Sequence, residues 1–365
     1  MKGKKLWALS QAASSLYFFL LQVTFLKNYS LDLVAQFSSL TSLGAFILLA
    51  YRRCFLEIRN IENWGDNRSP LLELFSFYLV VSLGLTALFN WDFSLTLYIV
   101  ILFLNLALID QFKFIDQKGH QFYSVIHLFL IVTIFLGSIF FKSWHLLLFL
   151  NILLIFAAYK IKNLITKVRV NHISFRLSSF NLHKMQDLVL TSFIGFISPV
   201  IVLIVIDAQA VAVLRTSQNI LSIANVFTTS IYYSAFNERN KDFRFRRLYM
   251  MPTLFISSFV FILDNISTSV STALFGPYFQ DSVALTLALA INLSFTIWAS
   301  VQVVQLTKLK LYREILHVHV LITISNIIIT VFLMSTLSIL GFALAGLTVN
   351  ILELLLLRKK IRIAK

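Results

Sequence analysis

The chain has 365 residues, of which 58% are hydrophobic, 15% aromatic and only 13% charged, and 31 Lys and Arg stand against 16 Asp and Glu for a formal charge of +15. Thirty-six Phe residues exclude an aqueous globule of this size and make a single polytopic membrane domain the natural class. The basic tracts interrupt apolar runs at loop spacing and carry no base-reading module, which excludes a nucleic-acid partner.

Crossing the hydrocarbon takes about 20 apolar residues as a helix. The segments that meet this run approximately over 7–26, 32–51, 71–90, 93–111, 124–141, 144–159, 187–206, 209–235, 249–267, 282–304, 315–335 and 338–357. The first could pass for a signal peptide, with Lys2, Lys4 and Lys5 ahead of an apolar stretch. Its small residues Ala12, Ala13, Ser14 and Ser15 fall too early, and no small-x-small cleavage site follows Leu26, so it reads as an uncleaved span. Ser69 followed by Pro70 is a good helix start. Two pairs of segments turn very tightly, at Asn90, Trp91 and Asp92 and at Lys142, and loss of both members of either pair would leave the charge pattern intact. Pro199 and Pro252 fall within spans, where they would kink helices whose freed carbonyls a neighbour must satisfy. The lone Cys54 cannot form an internal disulfide.

Assigning the connections alternately to two sides places 28 of the 31 cations on one side, with Lys27 and Lys142 on the other and Arg215 inside a span. Translocation of positive charge is disfavoured, so this bias sets the orientation: both termini and the basic loops are expected to be cytoplasmic. Those tracts also suit contact with anionic membrane lipids. The expected organisation is an N-terminal six-helix half over 1–160, a basic cytoplasmic connector over 161–186, and a C-terminal six-helix half with a basic tail over 187–365. A weak internal echo supports the division, since residues 35–40 can be laid on 212–217, each after a short turn carrying Asp32 or Asp207. Repeats of this kind are common in transporters and place the substrate path between the halves.

Enzyme signatures are missing. There is no phosphate-binding glycine loop, no H-E-x-x-H among the seven His residues, no nucleophile elbow and no paired carboxylates in an external loop. No cofactor or metal is therefore expected. His317 and His319 lie two apart, on different helix faces, and do not make a metal site. Attention falls instead on polar residues inside spans. Arg215 lies about two turns beyond Asp207 and is followed by Gln218, Asn219, Ser222 and Asn225 at three- and four-residue spacing. Arg215 either faces a cavity, snorkels outward or pairs with Asp207. The first span has a similar stripe in Gln11, Ser14 or Ser15, and Gln22. Such stripes either line an aqueous cavity or seal the bundle. Asn292, Thr296, Gln302 and Asn350 read as packing, and Glu353 as an interfacial partner of Arg358 and Lys359. Deep carboxylates are otherwise missing, which argues against a proton- or sodium-driven cation exporter.

Residues 7–60, from Trp7 through Arg52 and Arg53 to Glu57, resemble the opening of bacterial polysaccharide repeat-unit flippases, members of the multidrug/oligosaccharidyl-lipid/polysaccharide exporter superfamily. The stretch Ile206-Asp-Ala-Gln-Ala-Val-Ala-Val-Leu-Arg-Thr-Ser-Gln resembles the start of that family's second half, where an Arg followed by a Gln is frequent. Lys27 falls where the family often has a basic residue, whereas Ala35 and Ala212 stand where it commonly has glycine. The resemblance implies an all-α fold of about twelve transmembrane helices in two six-helix halves. It also implies flipping of an undecaprenyl-pyrophosphate-linked oligosaccharide, an O-antigen or capsule repeat unit, across a bacterial inner membrane. Other polysaccharide-assembly proteins would be partners. Arg215, Gln218, Asn219, Gln11, Gln22 and Lys27 become the candidate substrate-binding residues. A multidrug cation antiporter of the same fold, a membrane polysaccharide polymerase and a non-transporting scaffold are the rival readings.

Reporter fusions after residues 60, 172, 242 and 311 are expected to be cytoplasmic, and those after 207 and 274 external. One clear inversion among them breaks the topology.

Overall fold

With no water in the bilayer to satisfy backbone N–H and C=O groups, an apolar span must bond its own backbone, and helix is the only open solution for single segments. A computed structural model of the protein describes residues 2–51, 70–113, 117–140, 143–165, 190, 193, 195–222, 250–266, 268–309 and 311–364. Each of the twelve predicted segments carries helix among these residues, and no strand occurs among them. The fold is all-α. In chain order the helices are α1 (Lys2–Asn28), α2 (Leu31–Tyr51), α3 (Pro70–Leu88), α4 (Phe93–Lys113), α5 (Gln117–Phe140), α6 (Trp144–Ile165), α7 (Gly195–Val205), α8 (Ala208–Ser222), α9 (Met251–Ile266), α10 (Thr268–Phe275), α11 (Phe279–Lys308) and α12 (Tyr312–Ala364).

Length and composition alone make Leu31–Tyr51, Trp144–Ile161, Phe279–Thr307 and Tyr312–Ile363 long and apolar enough to cross a membrane, and five shorter apolar helices accompany them. Burial runs opposite to that of a water-soluble bundle. Phe77, Val80, Phe135 and Phe332 are all more than 60% exposed, whereas Gln36, Ser38, Ser39, Thr41 and Ser42 of α2 are buried. Apolar side chains face outward where lipid is the solvent, and polar ones face protein. The chain is a multi-pass membrane protein.

The chain divides into two compact units, Met1–Asn181 and Leu182–Lys365. In the first, α4 is the central element and packs on α2, α3, α5 and α6, while α1 packs on α5 and α2. Its core joins Tyr17, Leu21 and Phe25 of α1 to Phe37 and Leu40 of α2 and to Leu95, Ile99 and Phe103 of α4. Gly44 lets these helices approach closely: a Cβ there would lie 2.5 Å from the Phe103 ring and 2.6 Å from the Tyr78 hydroxyl. Tyr78 in turn donates to the Leu40 carbonyl at 2.7 Å.

Both tight helical pairs are present. The turn between α3 and α4 uses a left-handed Asn90 (φ 51°) and closes with the Trp91 amide on the Thr86 carbonyl at 2.9 Å. Asp92 then caps α4, its Oδ1 accepting from the Ser94 N–H (2.8 Å), the Ser94 hydroxyl (2.6 Å) and the Leu95 N–H (3.3 Å). Partial burial pushes the Asp92 carboxyl upward, but these bonds outweigh it and hold the group below its usual range. Gln36 of α2 clamps this turn, donating to the Asp92 carbonyl (2.5 Å) and Thr96 Oγ1 (3.1 Å) and accepting from the Asp92 N–H (3.1 Å).

In the second unit α11 is central and packs on α8, α9, α10 and α12. As a straight rod, the 53 residues of α12 would reach about 80 Å, more than twice the hydrocarbon thickness. The chain breaks at Ser338 (φ 54°, ψ −143°), which separates the two spans expected there. Gly341 permits the sharp reversal, since a Cβ on it would lie 2.1 Å from the Leu333 carbonyl oxygen.

Three expectations need correction. Pro252 is the second residue of α9, where a missing N–H has no ladder partner to lose, so it starts that helix rather than kinking it. Pro199 does lie inside α7, but the carbonyl its ring orphans, that of Gly195, accepts the hydroxyl of the adjacent Ser198 at 2.9 Å. No neighbouring helix is required. Lastly, α5 begins seven residues before the expected 124, because Gln117 to Tyr123 continue the helix past the apolar stretch. The connector 166–189, and the part of the eighth span beyond 222, lie outside the described residues.

Replacing Gly44 by alanine should overpack the α2–α4 contact, at a cost of about 1–3 kcal/mol. The melting temperature of the detergent-solubilised protein should fall accordingly. Unchanged melting would mean that Phe103 and Tyr78 yield freely.

Candidate substrate-binding site

Asp207 starts α8. Its Oδ1 accepts the Ala210 N–H at 2.7 Å, filling the N-cap role, while its side chain remains exposed. The next residues run into the protein, with Ala210 through Ser217 all buried. Arg215 is 7% exposed, and its Nη1 donates to Gln218 Oε1 at 2.7 Å, one turn further along the same helix. Asp207 is eight residues away, about 12 Å along the axis. Snorkelling to an interface is ruled out by that burial.

The hydroxyls around Arg215 are occupied locally. Thr216 donates to the Ala212 carbonyl (3.0 Å), Ser217 to the Val213 carbonyl (3.1 Å) and to that of Ser282 on α11 (3.3 Å), and Ser222 to the Asn219 carbonyl (2.7 Å). These tie α8 to itself and to α11. Asn219 is different: it is 4% exposed, and its Nδ2 has no hydrogen-bond partner among the described residues. A buried amide donor without an acceptor costs roughly 1–3 kcal/mol. Arg215, Gln218 and Asn219 therefore form a compact donor-rich group on one helix, in which the Gln218 amide oxygen is one acceptor on the guanidinium.

The other candidates lie in the first unit, on α1. Gln22 is half-buried. Lys27 is exposed in the last turn, where a cation complements the helix dipole, and partial burial holds its ammonium below the usual lysine range. The side chain of Gln11 lies outside the described residues. So the structure brings Arg215 and Gln218 into contact, places Asn219 beside them, and keeps the α1 residues in the other unit.

Asn292, Thr296 and Asn350 bond one another: Asn350 Nδ2 donates to Asn292 Oδ1 (2.5 Å) and to Thr296 Oγ1 (2.7 Å), joining α11 to the second half of α12. Glu353 does not pair as its neighbours in sequence suggest. Its Oε1 lies 3.1 Å from His319 Nε2, and Arg358 instead covers the Trp298 ring at 4.2 Å. Both His319 and Glu353 were visible in the sequence, but 34 residues and a chain reversal separate them. Among the described residues no three His, Cys, Asp or Glu side chains cluster as metal ligands.

No family model matches the chain, and no curated protein matches it by sequence. Solved structures do match. A multidrug-resistance MATE-family transporter of the MOP superfamily, inward-facing, superposes with a TM-score of 0.62 at 12% identity over 96% of this chain and 95% of that one. The lipid II flippase MurJ in an inward closed conformation gives 0.53 at 15% identity over 97% and 87%. A MOP-superfamily transporter from Pyrococcus furiosus, described as having a binding pocket of reverse polarity, gives 0.51 at 14% over 100% and 94%. At such identities the likeness establishes the fold, and the fold of this chain is that of MATE transporters and the lipid II flippase.

Proposed function

We propose that the protein flips an undecaprenyl-pyrophosphate-linked oligosaccharide from the inner to the outer leaflet of a bacterial inner membrane for surface polysaccharide synthesis. The observation that carries the proposal is Arg215, a cation buried in a helix of a membrane protein, with Gln218 Oε1 accepting one of its N–H bonds. An embedded Arg costs about 2.5–3.5 kcal/mol on insertion scales, so its retention mid-stripe argues for use. A guanidinium carries five fixed donors that match the oxygens of a phosphate or carboxylate. Gln218 holds one edge of the fork in place, and an incoming pyrophosphate or acidic sugar would take donors of the same guanidinium. Asn219 adds an amide donor one residue on. The lipid tail would remain in the bilayer throughout.

Fold likeness supports the same direction, because a lipid II flippase shares the architecture. A binding pocket of reverse polarity is described for the Pyrococcus furiosus protein of that fold, and is taken there to suggest a different function. In this reading Gln11, Gln22 and Lys27 contribute from the first unit, the termini are cytoplasmic, and other polysaccharide-assembly proteins act before and after the flip. Export of cationic drugs is the competing reading, favoured by the likeness to a multidrug transporter. A buried cation is the wrong sign for such cargo unless a carboxylate offsets it.

Deleting the gene should abolish a surface glycan while lipid-linked repeat units accumulate on the cytoplasmic leaflet. If the precursor instead reaches the outer leaflet unpolymerised, the polymerase reading wins. Arg215→Ala should lose most export at normal protein levels, and Arg215→Lys should retain part, since the charge persists and the planar fork does not. Gln218→Glu should insert normally yet export poorly, because a carboxylate beside Arg215 competes with an anionic substrate. Normal export by Arg215→Ala would make the stripe packing; raised drug resistance in Gln218→Glu would favour the cation-exporter reading.

A further inference from the structure

The two spans of α12 form a hairpin about Ser338, and two ionic contacts tie its basic-loop ends together. The outer one is Lys360 Nζ to Glu314 Oε2 at 2.5 Å, with both side chains about a third exposed (37% and 34%). The Glu314 carboxyl is held below its usual range chiefly by that lysine. The inner one is His319 with Glu353 at 3.1 Å, with side chains 4% and 14% exposed. Lys and Glu keep their charges across neutral pH, whereas an imidazole ordinarily titrates there. The outer contact is therefore permanent and the inner one conditional.

We propose that His319 and Glu353 form a proton-binding site at the basic-loop end of the C-terminal unit, whose occupancy sets how tightly the last two spans are clamped. With the proton bound, an imidazolium faces a carboxylate, the pair is neutral overall, and the hydrogen bond is charge-assisted. Without it, a neutral imidazole faces a carboxylate, and one negative charge is left in a region of low dielectric. The clamp is strongest while the proton is held and slackens as it leaves. Glu353 retains enough exposure for a proton to reach it, and the partner is nearly sealed.

The described charged groups around the pair are few. Among the described helices α11 packs on α12, and it brings the indole of Trp298, which is covered by Arg358 at 4.2 Å. The acidic residue of α11, Asp281, lies in its first turn, at the far end of a 30-residue helix. On α12 itself Arg313, His317, Lys359 and Arg362 are exposed. Val318, Ile322, Leu354 and Leu357 form the apolar cluster that flanks the pair. A metal ion is a poorer occupant, because two ligands fall short of the usual four and no third gathers among the described residues. The inference does not depend on what the protein carries.

The test uses full-length purified protein labelled with carbon-13 in its histidine rings and titrated by NMR from about pH 5 to about pH 9. The resonance missing from His319→Gln is that of His319. In the wild type it should show a one-proton step. In Glu353→Gln, which keeps an acceptor of the same shape, the step should be displaced by about one pH unit or more, while Glu314→Gln should leave it in place. A His319 resonance that does not move in this range, or one indifferent to Glu353→Gln, overturns the proposal. Should His319→Gln fail to fold, melting temperatures decide. The wild type should melt lower at about pH 8.5 than at about pH 6, and that difference should vanish in Glu353→Gln. A difference kept unchanged in Glu353→Gln overturns it equally.

Discussion

Hydrocarbon supplies no hydrogen bonds, so a polar group that this chain carries into its spans is costly unless it finds a partner in the protein. That constraint explains features that look unrelated. Ser198 takes the carbonyl that Pro199 orphans within its own helix. Thr41, Thr86 and Thr286 donate to carbonyls three or four residues earlier. Gln36 spends its whole amide on one turn. Not every buried atom is satisfied in this way: Asn219 Nδ2, Ser39 Oγ, Ser82 Oγ and Asn151 Oδ1 have no hydrogen-bond partner among the described residues, and Arg215 and the His319–Glu353 pair add ionisable groups.

Long-range organisation was legible because two strong signals coincide: apolar run length and the side on which cations fall. Each of the twelve segments read from the sequence carries helix in the structure, including both tight pairs that charge alone left open. Ends were less legible. The charged and polar start of α5 is helical although it is not apolar, since helix formation does not stop where hydropathy does. Pro252 was read by residue type when only its position in the helix decides its effect. The polar stripe on α8 was visible from spacing alone, and the Arg215–Gln218 contact follows from their separation of three residues. Nothing local could join His319 to Glu353, or Asn350 to Asn292, because those pairs depend on where a hairpin folds and how α11 lies against it.

The C-terminal unit thus carries two kinds of charge with different physical behaviour. Arg215 presents a planar guanidinium whose donors are fixed by geometry. The His319–Glu353 pair changes its charge with one proton. On the proposed reading the first would serve recognition and the second response. Here they occupy separate helices, α8 and α12, each of which packs on α11. That central helix touches both, through Ser282 to Ser217 of α8 and through Asn292 to Asn350 of α12.

This arrangement also bears on why α11 is held so differently at its two contacts. Against α8 the polar link is a serine hydroxyl donating to the Ser282 carbonyl at 3.3 Å, a contact shared with the helix's own ladder and easily exchanged. Against α12 it is a set of short amide bonds from Asn350, reinforced by the apolar cluster of Ala299, Leu306, Val318 and Leu357. A hydroxyl that already has a local carbonyl loses little when its second partner departs, whereas an amide stripped of both acceptors in hydrocarbon loses several kcal/mol. Motion within this unit should therefore divide α8 from α11 before it divides α11 from α12. On these bonds α8 is the element held more loosely, and the His319–Glu353 pair belongs to the α11–α12 body.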